Sequence, residues 1–152
     1  MAHLMSDATA DGADFTLIES LTDEQIEQLY ALYQTQWWCQ SRSLEDVKRM
    51  VEHTSLLLGL IENTSQRLVG FCRVLTDCTF RATIYDVIVA EDWQGRGLGQ
   101  RLMDALLQHP NLQEVSAIYL SCRPQMIPFY ERWGFIVFEE ESKLMIKRQR
   151  EG

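Results

Sequence analysis

The segment that most constrains this chain is a β-branched strand that runs directly into a glycine-rich loop and then into a helix. The strand pattern covers residues 80–90, the glycines are Gly95, Gly97 and Gly99, and apolar residues recur at helical spacing over residues 98–106. Backbone amides at a helix N-terminus are unpaired donors with partial positive charge, so they suit a phosphate. Because glycine lets the main chain bend and come close to a ligand, the segment predicts a phosphate or pyrophosphate site.

Two arginines and two rival motifs bear on this loop. Arg96 and Arg101 are candidates for charge-assisted contacts with phosphate. A Walker loop requires a Lys followed by Ser or Thr, and no such pair follows the glycines. A dinucleotide fingerprint requires a third glycine at a spacing that residues 100–102 do not supply. The plain alternative, that the glycines only shape a turn, stays open.

The rest of the chain predicts one mixed α/β domain over residues 14–152, after a loose polar tail at residues 1–13. Capping patterns at Thr22 and Ser43 open two helices, and the apolar stripe of the first extends to Trp37. The predicted strands cover residues 14–19, 55–62, 68–75, 80–90, 115–122, 135–138 and 143–147, with further helices after Gly95 and over residues 124–132. The predicted order is β-αα-βββ-α-β-α-ββ, with the last two strands as a hairpin.

Charge and cysteine usage restrict the partners and the compartment. The formal charge of −8 disfavours nucleic acid as a partner. The longest apolar stretch, residues 56–61, is too short to span a bilayer, and the N-terminus lacks a signal-peptide pattern. The four cysteines show neither C-x-x-C pairs nor zinc-ligand spacing, which predicts no metal site and reduced, mostly buried thiols. These features together favour the cytoplasm and no membrane partner.

Two segments resemble the GCN5-related N-acetyltransferase (GNAT) family. The run Gln94-Gly95-Arg96-Gly97-Leu98-Gly99 is similar to the family's Gln/Arg-x-x-Gly-x-Gly/Ala signature. The run Pro128-Phe129-Tyr130-Glu131-Arg132-Trp133-Gly134-Phe135 is similar to its aromatic-Tyr-Glu-basic-x-Gly-Phe segment. The resemblance implies the acyl-CoA N-acyltransferase fold and an enzyme that transfers the acetyl group of acetyl-CoA to a primary amine of a small molecule or protein. It implies direct attack without a metal, and homodimers are common in the family.

The resemblance also implies where acetyl-CoA binds. The fourth predicted strand would present its main chain to the pantetheine arm and the thioester, and the loop amides would hold the pyrophosphate. The implied cofactor-binding residues are Val87, Ile88, Val89, Gln94, Gly95, Arg96, Gly97, Leu98, Gly99, Gln100 and Arg101. Many members carry an Asn after the next strand that contacts the pantetheine. This chain has none there, and Ser121 or Arg123 is the candidate replacement.

Catalytic and acceptor residues follow from the same resemblance. Tyr130 is the expected acid that protonates the departing thiolate, against the plainer interpretation of a core aromatic. Asp86 is the best candidate base, against the equal alternative of a hydrogen-bonded strand acid, and strand alternation places it opposite Val87. The acceptor pocket is expected near Trp37, Trp38 and Arg42: an aromatic wall suits a cation, whereas arginine suits a carboxylate.

Two other functions remain as alternatives at this point. One is a non-catalytic acyl-CoA-binding regulatory module, which would keep the glycine loop but would not need Tyr130. The other is a cysteine enzyme built on Cys122, for which the sequence places no histidine nearby. The amine acceptor itself is not decided by the sequence.

Overall fold

The computed structural model describes residues 12–139 and 141–150, together with the main chain of residues 6–8. Its strands are β1 Ser6–Ala8, β2 Asp14–Ile18, β3 Leu56–Glu62, β4 Arg67–Thr76, β5 Arg81–Val89 and β6 Ala117–Leu120. Its α-helices are α1 Asp23–Gln34, α2 Leu44–Glu52, α3 Leu98–Leu107 and α4 Ile127–Glu131. Short 3-10 turns occur at Glu91–Trp93, Pro110–Leu112 and Pro124–Met126. The predicted mixed α/β fold is confirmed.

The six strands form one sheet in chain order. Strands β1 to β5 are antiparallel neighbours, and β6 pairs parallel with β5. A parallel pair needs a crossover, which α3 supplies between β5 and β6. Because β5 and β6 are parallel, their C-terminal ends lie at the same edge of the sheet.

Helices cover both faces of the sheet. A Cβ added at Gly70 of β4 would lie 3.2 Å from Leu102 of α3. The next residue, Phe71, packs edge-on against Tyr33 of α1, with ring centroids 6.2 Å apart. Successive residues of a strand point to opposite faces, so α1 and α3 lie on opposite sides of the sheet. The buried apolar core is therefore split into two layers by the central strands β3 and β4.

The two predicted helix starts are confirmed in detail. Thr22 Oγ1 accepts from the Gln25 amide at 3.2 Å, and Gln25 Oε1 accepts from the Thr22 amide at 2.9 Å. Ser43 Oγ accepts from the Asp46 amide at 3.1 Å. Each side chain satisfies an amide that the first helical turn leaves without a partner.

The predicted end of α1 is wrong, because Trp37 lies beyond the helix. The Thr35 hydroxyl donates to the Leu32 carbonyl at 2.7 Å, and the Cys39 thiol contacts the Tyr33 carbonyl at 3.3 Å. These side chains occupy carbonyls that would otherwise accept the next helical amides. The chain therefore leaves α1 at Gln34 and carries both adjacent tryptophans in the connection to α2.

Both ends of the sheet differ from the prediction. Ser6–Ala8, within the expected loose tail, pairs antiparallel with β2. The predicted C-terminal hairpin is not formed, since the described residues of 135–150 contain no strand. A segment with strand propensity forms a strand only when a partner strand is available. Strand β2 is such a partner for Ser6–Ala8, whereas the described residues of 135–150 have none. None of the described helices is long and apolar enough to cross a membrane.

Candidate active site

The central feature of the site is the point where β5 and β6 part. Their parallel pairing runs from Arg81 and Ala117 to Ile84 and Leu120, and it ends there. Strand β5 continues to Val89, so its last five residues have no pairing on the β6 side. The parting leaves a row of main-chain groups on one wall of a cleft.

The glycine loop lies directly beyond this wall. Gly95 and Gly97 have φ values of 76° and 79°, a left-handed conformation that favours glycine, and Gly97 is the N-cap of α3. A Cβ added at either position would meet nothing within 4 Å. Gly97 and the first residues of α3 also line the cleft, which is where a helix N-terminal anion site would lie.

The loop side chains divide into those that line the cleft and those that support the loop from outside. The cleft is lined by Val87, Ile88, Val89, Gln94, Gly95, Gly97, Leu98, Gly99 and Gln100. Gln94 also donates to the Val89 carbonyl at 3.0 Å, tying the loop to the end of β5. Arg96 stacks on Trp93, and Arg101 donates to the Phe15 carbonyl at 3.3 Å. Neither of these two arginines lines the cleft, and their contacts with phosphate stay a prediction.

The cleft is large, at about 1780 Å³. Small-molecule sites are typically about 300–1,000 Å³. One end is formed by the glycine loop, and another part is lined by Trp37, Trp38 and Asp86. The volume therefore has room for a long ligand at the loop and a second ligand beside the tryptophans.

Asp86 is the hub of a charged cluster on this wall. Its Oδ2 accepts from the Tyr33 hydroxyl at 2.7 Å, from Arg42 Nη1 at 2.9 Å and from Arg73 Nε at 2.7 Å. The carboxyl side chain is only 5% exposed. The backbone of Asp86 has a φ of 56°. Asp86 lies at a β-bulge between β4 and β5, where Phe71 pairs with Ile88 but Arg73 pairs with Tyr85. This bulge replaces the expected simple alternation and turns Asp86 toward the two arginines.

The electrostatics of the cluster bear on the predicted base. Burial would raise the pKa of Asp86, but hydrogen bonds from Arg42 and Arg73 outweigh it and lower that pKa below its ordinary value. Burial, and next the Asp86 charge, raise the pKa of Tyr33, which stays a neutral donor. A carboxylate stabilised in this way is a weak base, so the geometry favours the alternative of a hydrogen-bonded strand acid.

One oxygen of Asp86 remains available to the cleft. Within the described residues Oδ1 makes no hydrogen bond, and every fully buried side-chain polar atom among them has a partner. Oδ1 therefore keeps some solvent access. It can accept a hydrogen bond from a ligand without disturbing the contacts of Oδ2.

Tyr130 of α4 lies at the cleft wall and is 9% exposed. Its ring packs edge-on against Phe129 and Phe135. Its pKa is raised to about 12, mainly by burial and further by the neighbouring Cys122 and Cys72. Its hydroxyl has no hydrogen bond among the described residues and is not sealed from solvent. The side chain is thus a packed aromatic ring whose neutral hydroxyl is available to a ligand.

The three predicted acceptor residues have different environments. Trp37 is 65% exposed and Trp38 is half-buried, and both line the cleft. Arg42 lies over the rings of Tyr33 and Trp38 and bonds Asp86, and it does not line the cleft. The aromatic wall is therefore present, whereas the Arg42 guanidinium is engaged behind it.

Two arginines line the cleft: Arg123, the candidate replacement for the pantetheine-contacting Asn, and Arg132, for which the sequence predicted no role. Arg123 stacks on Trp37, with Cζ 3.9 Å from the ring centroid. Arg132 donates to Gln100 at 3.3 Å and lies over Phe129. Arg132 stands in the quoted aromatic segment, but nothing in the sequence shows that α4 brings it beside the glycine loop.

The expectation of mostly buried thiols holds for two of the four cysteines. Cys39 and Cys72 are buried, whereas Cys78 and Cys122 are exposed, and all four are free. Cys122 lines the cleft, whose lining contains no histidine among the described residues. The arrangement offers no base for a cysteine nucleophile.

Comparison with known proteins identifies the family. The model of the acetyltransferase (GNAT) family matches residues 18–135. This chain belongs to the GNAT family. An uncharacterised N-acetyltransferase named ycf52 from Porphyra purpurea is 40% identical over 69% of this chain and 64% of its own length. A chloroplastic GCN5-related N-acetyltransferase 1 from Arabidopsis thaliana is 26% identical over 98% of this chain and 76% of its own length.

Solved structures agree with this assignment. The crystal structure of a putative acetyltransferase of the GNAT family from Xanthomonas campestris is 28% identical to this chain. It superposes with a TM-score of 0.70 over 90% of this chain and 94% of the other. The mixed sheet with its flanking helices is thus the GNAT fold.

Removing the Asp86 charge from this GNAT domain is expected to destabilise it strongly. Asp86→Asn leaves two half-buried guanidiniums without their anion, which typically costs about 3–5 kcal/mol of unfolding free energy. Urea unfolding at pH 7 measures the loss. Because the folded pKa of Asp86 is lowered, its stabilisation is present above the unfolded value of about 3.9 and disappears as pH falls through the folded value.

Asp92→Asn is the matched control for this experiment. Asp92 forms an ion pair with Arg67 at 2.6 Å, but both side chains are about half exposed. We expect little change in stability from that variant. Equal stability losses in the two variants would contradict the role of Asp86 as the hub of a buried cluster.

Proposed function

We propose that this GNAT member transfers the acetyl group of acetyl-CoA to a primary amine by direct attack. The observation that carries the proposal is that the end of β5 beyond its pairing with β6, the glycine loop and Tyr130 all line one cleft. The aligned part of this chain spans 64% of the length of the Porphyra relative. The activity of the whole protein is therefore proposed and not inferred directly from that relative. The names of the relatives as N-acetyltransferases support it.

The residues present fit acetyl-CoA. Val87, Ile88 and Val89 have no partner strand on the β6 side, although the Val89 carbonyl accepts from Gln94. This stretch of main chain suits an amide-containing pantetheine arm, which needs hydrogen-bond partners along its length. The open space over Gly95 and Gly97 is where a side chain would collide with a pyrophosphate held by the α3 amides. Arg132, bonded to Gln100 at the loop, adds positive charge there.

Acetyl-CoA supplies an activated carbonyl and a thiolate leaving group. The acceptor must arrive as a neutral amine, and alkylammonium groups titrate near about 10.4. With its lowered pKa, Asp86 is too weak a base for that proton, so we assign proton removal to water in the open cleft and propose that Asp86 Oδ1 orients the amine. The amine nitrogen then bonds the carbonyl carbon and loses a second proton to water, and the carbon–sulfur bond breaks.

Tyr130 assists the departing sulfur. A phenol whose pKa is raised to about 12 stays neutral and donates a hydrogen bond at every physiological pH. Transfer of its proton to a thiolate, whose conjugate thiol has a reference pKa of about 8.5, is uphill, so the donor mainly stabilises charge that develops on sulfur. The phenol keeps its proton, water protonates the released thiolate, and the rate gain belongs at the low end of general-acid effects.

The proposal includes a cellular compartment for the protein. We place the chain in a reducing aqueous compartment such as the cytoplasm. The chloroplastic name of the Arabidopsis relative makes a plastid interior the second candidate. Cell fractionation separates the two.

Substitution in the glycine loop is expected to weaken cofactor binding. Gly97→Leu places a side chain in the open space at the α3 N-terminus, and we expect CoA affinity to fall by at least about tenfold, since charge-assisted hydrogen bonds are lost. Calorimetry with CoA measures the change. Gly12→Leu is the control, because Gly12 has a φ of 75° and equally open surroundings. Unchanged CoA affinity in Gly97→Leu would contradict the loop assignment.

Tyr130→Phe is expected to keep acetyl-CoA affinity and lose turnover by about 10²-fold, because it deletes the donor and keeps the ring. Since the pKa of Tyr130 is about 12, the wild-type rate should rise with amine deprotonation and show no decline up to about pH 10. Thiol release under chemistry-limited conditions gives both results. A parallel fall in affinity would make the hydroxyl a binding contact, and no turnover with any amine would favour the non-catalytic acyl-CoA-binding module.

A homodimer through the C-terminal segment is also proposed. Leu144 is 101% exposed, and Ile136, Met145 and Ile146 are nearly as open, a concentration of apolar surface typical of interfaces. We expect a dimer mass in light scattering and a monomer after joint Ile136→Ser and Ile146→Ser substitution. Phe80→Ser, at the start of β5 and also exposed, should leave the dimer intact. A monomeric wild-type protein would contradict the proposal.

A further inference from the structure

We infer that the amine acceptor is a small molecule that also carries an acidic group, a carboxylate or phosphate, and that Arg123 binds this group. The inference rests on the proposed N-acetyl transfer and names the substrate class for the same cleft. It is carried by the charge balance of the cleft and by the way in which Arg123 is held.

The cleft is basic although the chain is acidic. Among the described residues, the basic side chains of its lining are Arg123 and Arg132, together with Lys143, which has an interaction of its own, and the acidic one is Asp86. The chain as a whole has a formal charge of −8. Asp86 already pairs with Arg42 and Arg73 from behind the wall, so it does not neutralise the basic lining. A cleft of this charge favours ligands with anionic groups.

The two arginines of the lining lie in different parts of the cleft. Arg132 bonds Gln100 and lies beside the glycine loop, where the phosphates of CoA are proposed to bind. Arg123 follows β6, past the point where the strands part, and it stacks on Trp37 from the connection between α1 and α2. Arg123 therefore belongs to the part of the cleft that the exposed tryptophan lines.

The guanidinium of Arg123 is held but not neutralised. Among the described residues it makes no ion pair and no hydrogen bond, and its one recorded contact is the face of Trp37 at 3.9 Å. Stacking on an aromatic face fixes a guanidinium while leaving its N–H donors at the edge. A planar fork of free donors at a cleft wall suits a carboxylate or phosphate, which it can bind through two parallel hydrogen bonds.

Asp86 complements this arrangement. Its accessible Oδ1 can accept from the acceptor's amine, while Arg123 binds the acidic group of the same molecule. Such a pair would recognise an amine and an acid together. The competing ligand for Arg123 is the pantetheine arm of CoA, because Arg123 stands near the position where many relatives have an amide side chain.

Matched acceptor pairs test the inference. Lysine is compared with cadaverine, leucine with isopentylamine and O-phosphoethanolamine with ethanolamine, each by thiol release from acetyl-CoA. We expect kcat/KM to be at least about tenfold higher for the acid-bearing member of the preferred pair, as one charge-assisted contact allows. The responding pair distinguishes carboxylate from phosphate. Faster turnover of the amines without acidic groups would overturn the inference while leaving the proposed activity intact.

Variants assign the effect to Arg123. Arg123→Gln should abolish the preference by raising KM for the acid-bearing acceptor, with the KM for acetyl-CoA unchanged, and Arg123→Lys should restore part of it. Trp37→Phe should retain the preference, since a ring remains, and Trp37→Ala should weaken it. Arg67→Gln is the control, because Arg67 pairs with Asp92 and neither residue lines the cleft.

Two outcomes would overturn the assignment in different ways. If Arg123→Gln raised the KM for acetyl-CoA and left acceptor preference unchanged, Arg123 would be a cofactor contact. If no amine gave thiol release although CoA bound, the proposed acetyl transfer would fail and this inference with it.

Discussion

Everything in the candidate site depends on where the hydrogen bonding between β5 and β6 stops. Backbone amides and carbonyls must find partners, so a strand normally continues its ladder until it ends. Here the ladder ends at Ile84 and Leu120, while β5 continues to Val89 and leads into the glycine loop. The sheet thereby presents unpaired main-chain groups and a helix N-terminus in one continuous wall.

The Asp86 cluster fixes the opposite side of that wall. Three donors from α1, from the connection after it and from β4 converge on one carboxylate oxygen at the β5 bulge. The connection that carries Trp37 and Trp38 is thus tied to the strand that would contact the thioester. Burial of the cluster makes the tie costly to break, and the lowered pKa of Asp86 keeps it intact over the physiological range.

Local patterns were enough to predict most of the fold. The capping residues Thr22 and Ser43, the apolar strands and the glycine loop all act within a few residues, so the sequence displays them directly. The fate of residues 135–147 depends on partner strands, and the end of α1 depends on Thr35 and Cys39 capturing carbonyls. The bulge at Asp86 and the stacking of Arg123 on Trp37 join residues far apart in the chain, and no single-sequence pattern reports such contacts.

Because the cleft is basic and the chain as a whole is acidic, we expect small anions to bind in preference to long ones. At physiological salt, charges are screened beyond about 8 Å, so an anion that fits inside the cleft responds mainly to Arg123, Arg132 and Lys143. A long polyanion that does not fit inside the cleft would meet the rest of a chain whose formal charge is −8. We therefore expect the residues that attract a small acid inside the cleft to contribute little to binding a polymer of phosphates.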